Sequence, residues 1–560
     1  MRIVLIYPPP WQIPSAGDPP GGMPFGPPKD VREHAVLDDG DFLSIPYGVL
    51  TIAAQARRAG HAVDVLNLAD APWRKVIAQI AASDATVYGI SAFTANRRGM
   101  GAVARAIRQM KPDVHITASG PFVTALPLHT LRHYPEIDTA VVGEGEDTFL
   151  ELIACLDARH SCVGIAGTAW REGDAVVLGP PRQLIKNLDT IASPFDHFTP
   201  PIVLTSRGCP SRCTFCGSPA IWGKWVRFHS VAYTIDTFRK ALARQPVPVL
   251  FVKDDTFTAH RRRAMAIYKA ILESGMNFLW GCDTRVDSVN DELLSTMRRA
   301  GCQAVSFGVE SGCPNILARI RKRTTPEMVI TATRMAQKYG MHVRYYMIIG
   351  NRGENEESVK KSIKLIKTGR PNTFIFCALS FFPGTEEWEI LCAEQGVTPE
   401  IFFTNDFVEP SIELNRRDKL DLLLKYIKCS IGTAVGFDYT IEEREAVVDR
   451  LPNLHSVRVE LANAYLRAGR FDAATRELDQ AEALGFPIGG MLDNQRACVA
   501  LARHAVDDAR ALLARAARRY PHSLVQRNQA RLHAWERLPL GTRGAPPPLD
   551  DSVFLFKWAP

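Results

Sequence analysis

The sequence lacks the features that would place the chain in a membrane or on a nucleic acid. Its apolar start, residues 1–7, runs directly into prolines and is too short for the core of a signal peptide. No apolar run reaches the length that crosses a bilayer. The 67 Lys and Arg against 60 Asp and Glu leave a net charge of only +7, with no long basic run to follow a nucleic-acid backbone. We therefore expect a cytoplasmic protein with no nucleic-acid partner and no stable membrane insertion.

Paired cysteines are also scarce. Most of the twelve cysteines stand singly in 560 residues, as reduced thiols do in a cytosolic protein, rather than in a disulfide framework. With 46% hydrophobic and 23% charged residues, the composition is that of a globular protein. Because one hydrophobic core cannot serve this length, we expect roughly three or four domains.

Short β-rich runs alternate with helical patterns along the first part of the chain. The runs RIVLIY (2–7), AVDVLN (62–67) and TVYGIS (86–91) are each followed by a helical pattern. This alternation predicts a doubly wound parallel sheet over residues 1–160. A hairpin and a connector are predicted for residues 161–198.

A second alternating series begins with PIVLTS (201–206) and continues through five more strand-like runs. It predicts a partial (β/α)6 barrel over residues 199–400, a fold in which the chemistry lies on loops at the carboxyl ends of the strands. The fold class is thus α/β, followed by an all-α carboxyl-terminal region.

The all-α region is predicted in three parts: a helical connector at 401–452, helices at 453–540 and a tail at 541–560. A weak repeat relates Ala474 and Leu478 to Ala509 and Leu513, 35 positions later. It indicates tetratricopeptide-like helix pairs, although an ordinary helical bundle fits equally well because such arrays usually need about three repeats.

Three cysteines form the one cluster in the sequence. The segment SRGCPSRCTFCGSP (206–219) places Cys209, Cys213 and Cys216 close together. Thiolates are soft ligands suited to iron-sulfur clusters, and three of them leave one iron of a 4Fe-4S cubane open to a small molecule. The alternatives are three unrelated buried thiols or a zinc site, for which His229 is the nearest candidate fourth ligand, but structural zinc sites usually combine two ligand pairs. The pattern favours the iron-sulfur cluster.

The cysteine motif, with Phe215 before its last cysteine, resembles the signature of the radical S-adenosylmethionine (radical SAM) superfamily. The segments FVKDDTFTAH (251–260), WGCDTRVD (280–287) and FGVESGCPNIL (307–317) resemble further loops of that family. The resemblance implies that SAM binds the open iron and is cleaved to a 5'-deoxyadenosyl radical. It also implies cofactor contacts by Phe215, Asp255, Arg285, Glu310 and Arg344, with Glu310 at the ribose.

Each of these polar residues has a structural alternative. Asp254 and Asp255 could cap the following helix, Arg285 could pair with either of them, and Glu310 could be a solvated carboxylate at a strand end. Where the family often shows a Gly-Leu-Pro-Gly-Glu-Thr run, this chain reads IGNRGENEES (349–358). The departure leaves SAM contacts in that segment without support.

The amino-terminal sheet resembles the cobalamin-binding domain that precedes the barrel in one subclass of the superfamily. The matching segments are IPYGVLTIAAQARRAGHAVDVLNL (45–68), YGISAFTANRR (88–98), ASGPFVTALP (118–127) and VVGEGEDTFLELI (141–153). The resemblance implies cobalamin contacts by Ser91, Thr94, Gly120, Gly143 and Gly145. Because no Asp-x-His-x-x-Gly loop is present, we expect cobalamin to bind without a histidine ligand. The insertion at 22–42 is either a lid over cobalamin or a surface loop.

The pairing of these two domains implies a cobalamin-dependent radical SAM methyltransferase acting on a carbon centre through the 5'-deoxyadenosyl radical and methylcobalamin. Cyclisation, ring rearrangement or oxidation with the same cofactors is one alternative, and a carrier-docking or assembly protein with an inactive barrel is another. We expect a small-molecule, peptide or carrier-bound substrate and an electron donor such as flavodoxin or ferredoxin. The helical repeats leave room for a protein partner. No catalytic residue is identified.

Overall fold

The computed structural model describes residues 1–9, 46–404, 421, 436–539 and 544–551. The insertion at 22–42 lies outside the described residues, as do parts of the predicted connector at 401–452 and of the predicted tail at 541–560. The described chain forms a seven-stranded sheet, then a five-stranded sheet, then a group of helices. Within these ranges no helix is both long and apolar enough to cross a bilayer.

The first sheet has the strand order β2-β1-β3-β4-β5-β6-β7. Its strands are β1 (Arg2–Tyr7), β2 (Ala62–Asn67), β3 (Val87–Ser91), β4 (His115–Ser119), β5 (Thr139–Val141), β6 (Thr168–Glu172) and β7 (Ala175–Leu178). Strands β1 to β5 are parallel. The predicted hairpin, β6-β7, joins β5 antiparallel and so extends this sheet. The strand order reverses between β1 and β3, which is where sheets of this kind bind ligands.

Helices cover the first sheet on both faces. They are α1 (Tyr47–Arg58), α2 (Trp73–Ala82), α3 (Arg97–Met110), α4 (Pro121–Ala125), α5 (Pro127–His133) and α6 (Gly145–Asp157). Strand β1 is buried along all but its first residue. A strand covered on both faces needs a continuous apolar run, and for this reason RIVLIY predicts a strand.

The second sheet is the predicted partial barrel. Its five parallel strands are β10 (Val249–Val252), β11 (Leu279–Thr284), β12 (Cys302–Glu310), β13 (His342–Ile349) and β14 (Thr373–Ala378), after the short β8 (Ser206–Arg207) and β9 (Arg227–Phe228). The helices are α7 (Ser218–Trp222), α8 (Val231–Arg244), α9 (Arg261–Glu273), α10 (Asp291–Arg299), α11 (Pro314–Arg319), α12 (Pro326–Gln337), α13 (Glu356–Gly369) and α14 (Glu386–Gln395).

The predicted first barrel strand, 201–206, is shorter than expected. It pairs with β10 through one parallel bridge, between Val203 and Val252. Beyond the bridge, the Asp254 carboxylate accepts the backbone amides of Thr205 at 2.6 Å and Ser206 at 3.2 Å. A side chain therefore replaces the next strand residue as the hydrogen-bond partner, and the chain leaves the sheet there.

The carboxyl-terminal region is all-α in the described residues, as predicted. Its helices are α15 (Ile441–Arg450), α16 (His455–Arg467), α17 (Phe471–Ala483), α18 (Gly489–Ala502), α19 (Val506–Arg519) and α20 (Ser523–Glu536). Helix α16 packs on α17, and α18 packs on α19. Val459 and Ala462 of α16 lie in one apolar cluster with Leu279 and Ala304 of the barrel. This cluster fixes the helices to the barrel.

Candidate active site

The three clustered cysteines lie on the loop between β8 and α7, at the carboxyl side of the barrel's first strand. Cys209 Sγ is 3.4 Å from Thr256 Oγ1, and Cys216 Sγ accepts the backbone amide of Ser218 at 3.5 Å. The thiols influence one another electrostatically. Among the described residues, no three His, Cys, Asp or Glu side chains, these cysteines included, have the arrangement that holds a metal ion.

Burial disfavours the thiolate forms of Cys213 and Cys216. Desolvation raises the pKa of Cys216 to about 12. It also raises the pKa of Cys213, where the charges of Lys322 and Arg285 act in the opposite direction. A buried thiol ionises when a metal ion takes up its charge. The donor set, three soft ligands on one short loop, therefore fits an iron-sulfur cluster.

Two carboxylates hold the ends of the cysteine loop. Asp254 also accepts the hydroxyls of Thr205 at 2.6 Å and Ser206 at 2.7 Å. Asp255 accepts the Ser218 hydroxyl at 2.5 Å and the Gly208 backbone amide. Neither caps the next helix, because α9 begins six residues after Asp255 and His260 caps it. The capping alternative is wrong, and both side chains position the loop.

The middle of the loop rests on the rest of the barrel and on the first sheet. Thr214 Oγ1 donates to Glu387 Oε1 at 2.6 Å, and the Glu387 amide donates back to the Thr214 carbonyl at 3.0 Å. Phe215 packs against an apolar cluster that combines Phe122 of α4 with Trp388 and Leu391 of α14. The cysteine loop thus contacts an apolar cluster shared by the amino-terminal sheet and the barrel.

Glu310 lies in an unusual backbone conformation at the end of β12. Its φ is +67°, in the left-handed region that costs a non-glycine residue free energy, and the pairing with β13 shifts register beside it. Its carboxylate accepts a hydrogen bond from Lys322 Nζ at 2.8 Å, and the residue is only 7% exposed. The solvated-carboxylate alternative is therefore wrong.

Arg285 pairs with neither Asp254 nor Asp255. Its guanidinium makes two hydrogen bonds to Asp287, at 2.9 and 2.8 Å, and a third to the Lys322 carbonyl at 2.8 Å. It thus fixes the segment that carries Lys322 toward Glu310. The pairing alternative is wrong because Asp287, two residues away, presents a two-oxygen partner to the guanidinium.

Arg344 belongs to a polar layer across the barrel interior. The strand register places Asp283 beside Ser306, and Ser306 beside Arg344. These residues and Lys253 line one cavity. Lys253 Nζ lies 3.4 Å from Asp283 Oδ2. The cavity has a volume of about 10 Å³, so this layer has room for about one water molecule between its charges and hydroxyls.

The predicted cobalamin contacts lie on the loops at the carboxyl edge of the first sheet. Gly120 has φ +97°, and a Cβ there would lie 2.6 Å from the Ala92 carbonyl oxygen, beside Ser91. Gly143 has φ +79° with no atom within 4 Å of an added Cβ, so its backbone faces open space. This open backbone edge fits a large planar ligand.

Two of the predicted contacts also take part in packing. A Cβ on Gly145 would lie 2.8 Å from Ile52 Cδ1, so packing of α6 on α1 explains this glycine. Thr94 is buried, and its carbonyl accepts a hydrogen bond from Arg97 at 2.7 Å. Arg97 also donates to the Phe402 carbonyl at 2.8 Å, which ties the sheet to the segment after the barrel.

A buried ion-pair cluster joins the sheet to the cysteine loop, and the sequence analysis missed it. Arg207, two residues before Cys209, contacts Glu144, which ends the loop after β5, and Glu146 in the first turn of α6. Arg227 also binds Glu144, at 2.7 Å. Burial alone would raise the pKa of Glu144, but the bonds from Arg227 and the charge of Arg207 outweigh it and lower that pKa. The partners are more than 60 positions apart, so no local pattern reveals them.

Known proteins share the sequences of the two domains. The sequence profile of the radical SAM superfamily matches residues 203–366, and that of the B12 binding domain matches residues 34–153. The chain is 33% identical over 361 residues to an uncharacterized methyltransferase of Pyrococcus horikoshii, a match that covers 62% of this chain and 78% of the relative. It is 25% identical over 338 residues to the anaerobic magnesium-protoporphyrin IX monomethyl ester cyclase of Rubrivivax gelatinosus, covering 56% and 60%.

A solved structure supports the same fold. The cobalamin-dependent SAM radical enzyme OxsB, with aqua-cobalamin and SAM bound, aligns with a TM-score of 0.53 at 15% identity. The alignment covers 98% of this chain and 77% of OxsB. The predicted succession of doubly wound sheet, partial barrel and helices is confirmed.

Fold, cysteine loop and sequence matches together define a radical SAM enzyme. More narrowly, the chain belongs to the radical SAM superfamily members that carry an amino-terminal B12-binding domain. Its cofactors are a 4Fe-4S cluster, SAM and cobalamin, as the sequence predicted.

Proposed function

We propose that this enzyme is a cobalamin-dependent methyltransferase that methylates a carbon centre of a small-molecule substrate. The observation that carries the proposal is the buried contact between the cysteine loop and the cobalamin-side loop, made by Arg207 with Glu144 and Glu146. Radical methyl transfer needs two cofactors at fixed positions around one substrate. Paired buried charges hold the two loops in one geometry, and the methyltransferase relative supports the same reaction.

Cys209, Cys213 and Cys216 hold the cluster in this proposal. The cluster, when bound, supplies the electron that cleaves SAM, and cobalamin supplies the methyl group. The chain positions the ligands and shields them from water. Asp255 holds the end of the cysteine loop through Ser218, at 2.5 Å.

Glu310 and Lys322 form the SAM side of the site. We assign Glu310 to the ribose hydroxyls, because its second carboxylate oxygen can accept hydrogen bonds while Lys322 holds the first at 2.8 Å. Arg285 keeps Lys322 in place through the Lys322 carbonyl. Phe215 shields the loop on the side of the first sheet.

Arg344 is the remaining proposed cofactor contact of the barrel. Together with Lys253 and Asp283 it gives the barrel floor fixed charges of both signs. The electron donor is a flavodoxin or a ferredoxin, and the reaction takes place in the cytoplasm.

The cobalamin side consists of Ser91, Thr94, Gly120 and Gly143, with Gly145 contributing through the packing of α6. The open backbone at Gly143 supports this assignment. Cobalamin binds there without a lower histidine ligand, since the sequence has no Asp-x-His-x-x-Gly loop.

Anaerobic reconstitution with iron, sulfide and cobalamin tests the proposal. We expect a bound cluster, bound cobalamin and reductive cleavage of SAM to 5'-deoxyadenosine. Cys155→Ala, in α6, is the matched control for Cys216→Ala: the first should keep the cluster and the second should lose it. A wild-type chain that takes up no cluster would overturn the proposal.

Oxidative cyclisation is the second candidate function, because one relative is named a cyclase. The two reactions differ in the fate of the SAM methyl group. Methyl transfer carries an isotope label from SAM into the product, whereas cyclisation leaves the product unlabelled.

A further inference from the structure

The carboxyl-terminal tail lies across the helical region in an extended, specifically bound form. We define the tail face as the surface that carries Asn463 of α16, Asn494 and Gln495 of α18, and Asn528 of α20. Residues 544–551 lie on this face. Their main chain, more than their side chains, receives the hydrogen bonds, which is how proteins bind extended peptides of varied sequence.

Asn528 makes the central contact. Its Nδ2 donates to the Asp550 carbonyl at 2.8 Å, and its Oδ1 accepts the Asp550 amide at 2.7 Å. One side-chain amide thus binds both polar groups of one backbone residue, as a neighbouring β-strand would. Asn528 is fully buried with the tail in place, and the tail supplies two of the hydrogen bonds of its amide.

Neighbouring amides extend the contact along the tail. Asn494 Nδ2 donates to the Asp550 carbonyl at 3.3 Å, and Gln495 Nε2 donates to the Asp551 carbonyl at 2.7 Å. Asn463, with its amide oriented to satisfy both polar atoms, donates to the same Asp551 carbonyl at 2.8 Å. Asn494 and Asn528 are 34 positions apart and hydrogen-bonded to each other. The helices thus present amides at repeated positions to one backbone.

Side chains of the tail add an anchor and two charges. Leu549 packs against the cluster of Ala497, Leu501 and Leu532. The Asp551 carboxylate lies 2.8 Å from Arg467 Nε, and the Asp550 carboxylate lies 3.6 Å from Arg527.

The remaining features of the tail favour an extended ligand. Three prolines, 546–548, precede Leu549 and limit the conformational entropy lost on binding. Trp535 Nε1 donates to the Gly544 carbonyl at 3.1 Å at the other end of the segment.

We propose that the tail face is a binding site for an extended acidic peptide, and that residues 544–551 of this chain are its resident intramolecular ligand. The site is separate from the cysteine loop, so the proposal does not depend on methyl transfer.

A fluorescent peptide with the sequence of residues 544–553, Gly-Ala-Pro-Pro-Pro-Leu-Asp-Asp-Ser-Val, tests the site in the full chain. In the wild type the tethered tail competes at high effective concentration. Leu549→Asp removes the apolar anchor and frees the face. We expect the peptide to bind Leu549→Asp at least about tenfold more tightly than the wild type, measured by fluorescence anisotropy.

Asn528→Asp in the Leu549→Asp background tests the amide contact. It replaces the Nδ2 donor by an oxygen that faces the Asp550 carbonyl, and should weaken peptide binding at least about tenfold. Gln526→Glu, exposed on the same helix, makes the same charge change and should leave binding unchanged. Equal binding to the Asn528→Asp and Gln526→Glu variants would overturn the proposal, and so would no binding to a folded Leu549→Asp chain.

Two measurements on chains with an intact Leu549 complete the test. Amide hydrogen exchange should be slow at Asp550 in the wild type and fast in Asn528→Asp, and fast exchange in the wild type would contradict the bound tail. Sedimentation should show that the wild type does not associate through this face. A dimer that the peptide dissociates would mean that the tail occupies a second copy, which overturns the intramolecular assignment.

Discussion

The barrel and the amino-terminal sheet meet at the cysteine loop, but their edges are built differently. The barrel edge is charged and strained, with Glu310 at φ +67° and paired with Lys322. At the sheet edge the acidic residues Glu144 and Glu146 are paired with Arg207, and the backbone of Gly143 faces open space. A small charged ligand such as SAM needs fixed ions, whereas a large macrocycle needs accessible backbone. Each edge thus suits its own cofactor, and the pairs of Arg207 with Glu144 and Glu146 fix one to the other.

Removal of a cluster ligand should abolish cofactor binding in the barrel and leave the amino-terminal sheet unaffected. We expect Cys213→Ala to abolish the cluster absorbance and SAM cleavage while cobalamin binding to the sheet persists. Iron and sulfide content measures cluster binding by the barrel, and a titration with cobalamin measures cobalamin binding by the amino-terminal sheet. Loss of cobalamin binding together with the cluster would show that the two domains do not bind their cofactors independently.

Removal of the Arg207 guanidinium should weaken the contact between the barrel and the amino-terminal sheet. Arg207→Met leaves Glu146 buried without its partner, and breaking such a pair costs about 3 kcal/mol. We expect a lower urea midpoint and slower product formation with the cluster still bound. Adding Glu146→Gln to Arg207→Met should restore part of the stability, because the uncompensated charge is gone. Unchanged stability in Arg207→Met would contradict the role of the ion pairs.

The sequence predicts those features of the sheet and the barrel that depend on a short segment of the chain. Strand β1 was readable because both of its faces are buried, and the cysteine loop because its three ligands lie within a few residues. The ion pairs of Arg207 were not predictable, because they join residues more than 60 positions apart. The structural alternatives for Asp254 and Arg285, a helix cap and a pair with either aspartate, are wrong for a related reason: the sequence pattern does not show which partner each side chain binds.

Loss of the Lys322 ammonium should affect the SAM side alone. Lys322→Met frees the Glu310 carboxylate from its fixed position, so we expect the KM for SAM to rise about tenfold, equivalent to about 1.4 kcal/mol. Cobalamin affinity should not change. Lys360→Met, on the exposed face of α13, is the control. If Lys322→Met left the KM for SAM as in the wild type, the assignment of Glu310 to the ribose would fail.

Acid should lower the free energy of unfolding by a smaller amount, through a buried histidine between the barrel and the connector at 161–198. His229 stacks on Tyr233 and contacts Asp189 of the connector at 3.2 Å. Burial, opposed by the bond to Asp189, lowers the pKa of His229 from 6.5 to about 4. As the pH falls, His229 therefore takes up a proton in the unfolded chain before it does so in the folded chain. His229 leaves stability intact above about pH 6.5 and reduces it as the pH falls toward about 4.

Substitution of His229 isolates that effect. In His229→Phe, which keeps the stacking on Tyr233, the urea midpoint should fall less steeply across this pH window than in the wild type. His160→Gln, at an exposed position, should match the wild type. Identical pH profiles for His229→Phe and the wild type would show that this histidine does not titrate as its burial requires.

The fate of the SAM methyl group tests the central claim most directly. The holoenzyme is incubated under reducing conditions with a small-molecule extract of the source organism and SAM carrying an isotope-labelled methyl group, and the products are analysed by mass spectrometry. A methyltransferase gives a new product that carries the labelled methyl group and that is absent with Cys213→Ala. A new product that is altered but unlabelled would show that the enzyme does not transfer the methyl group.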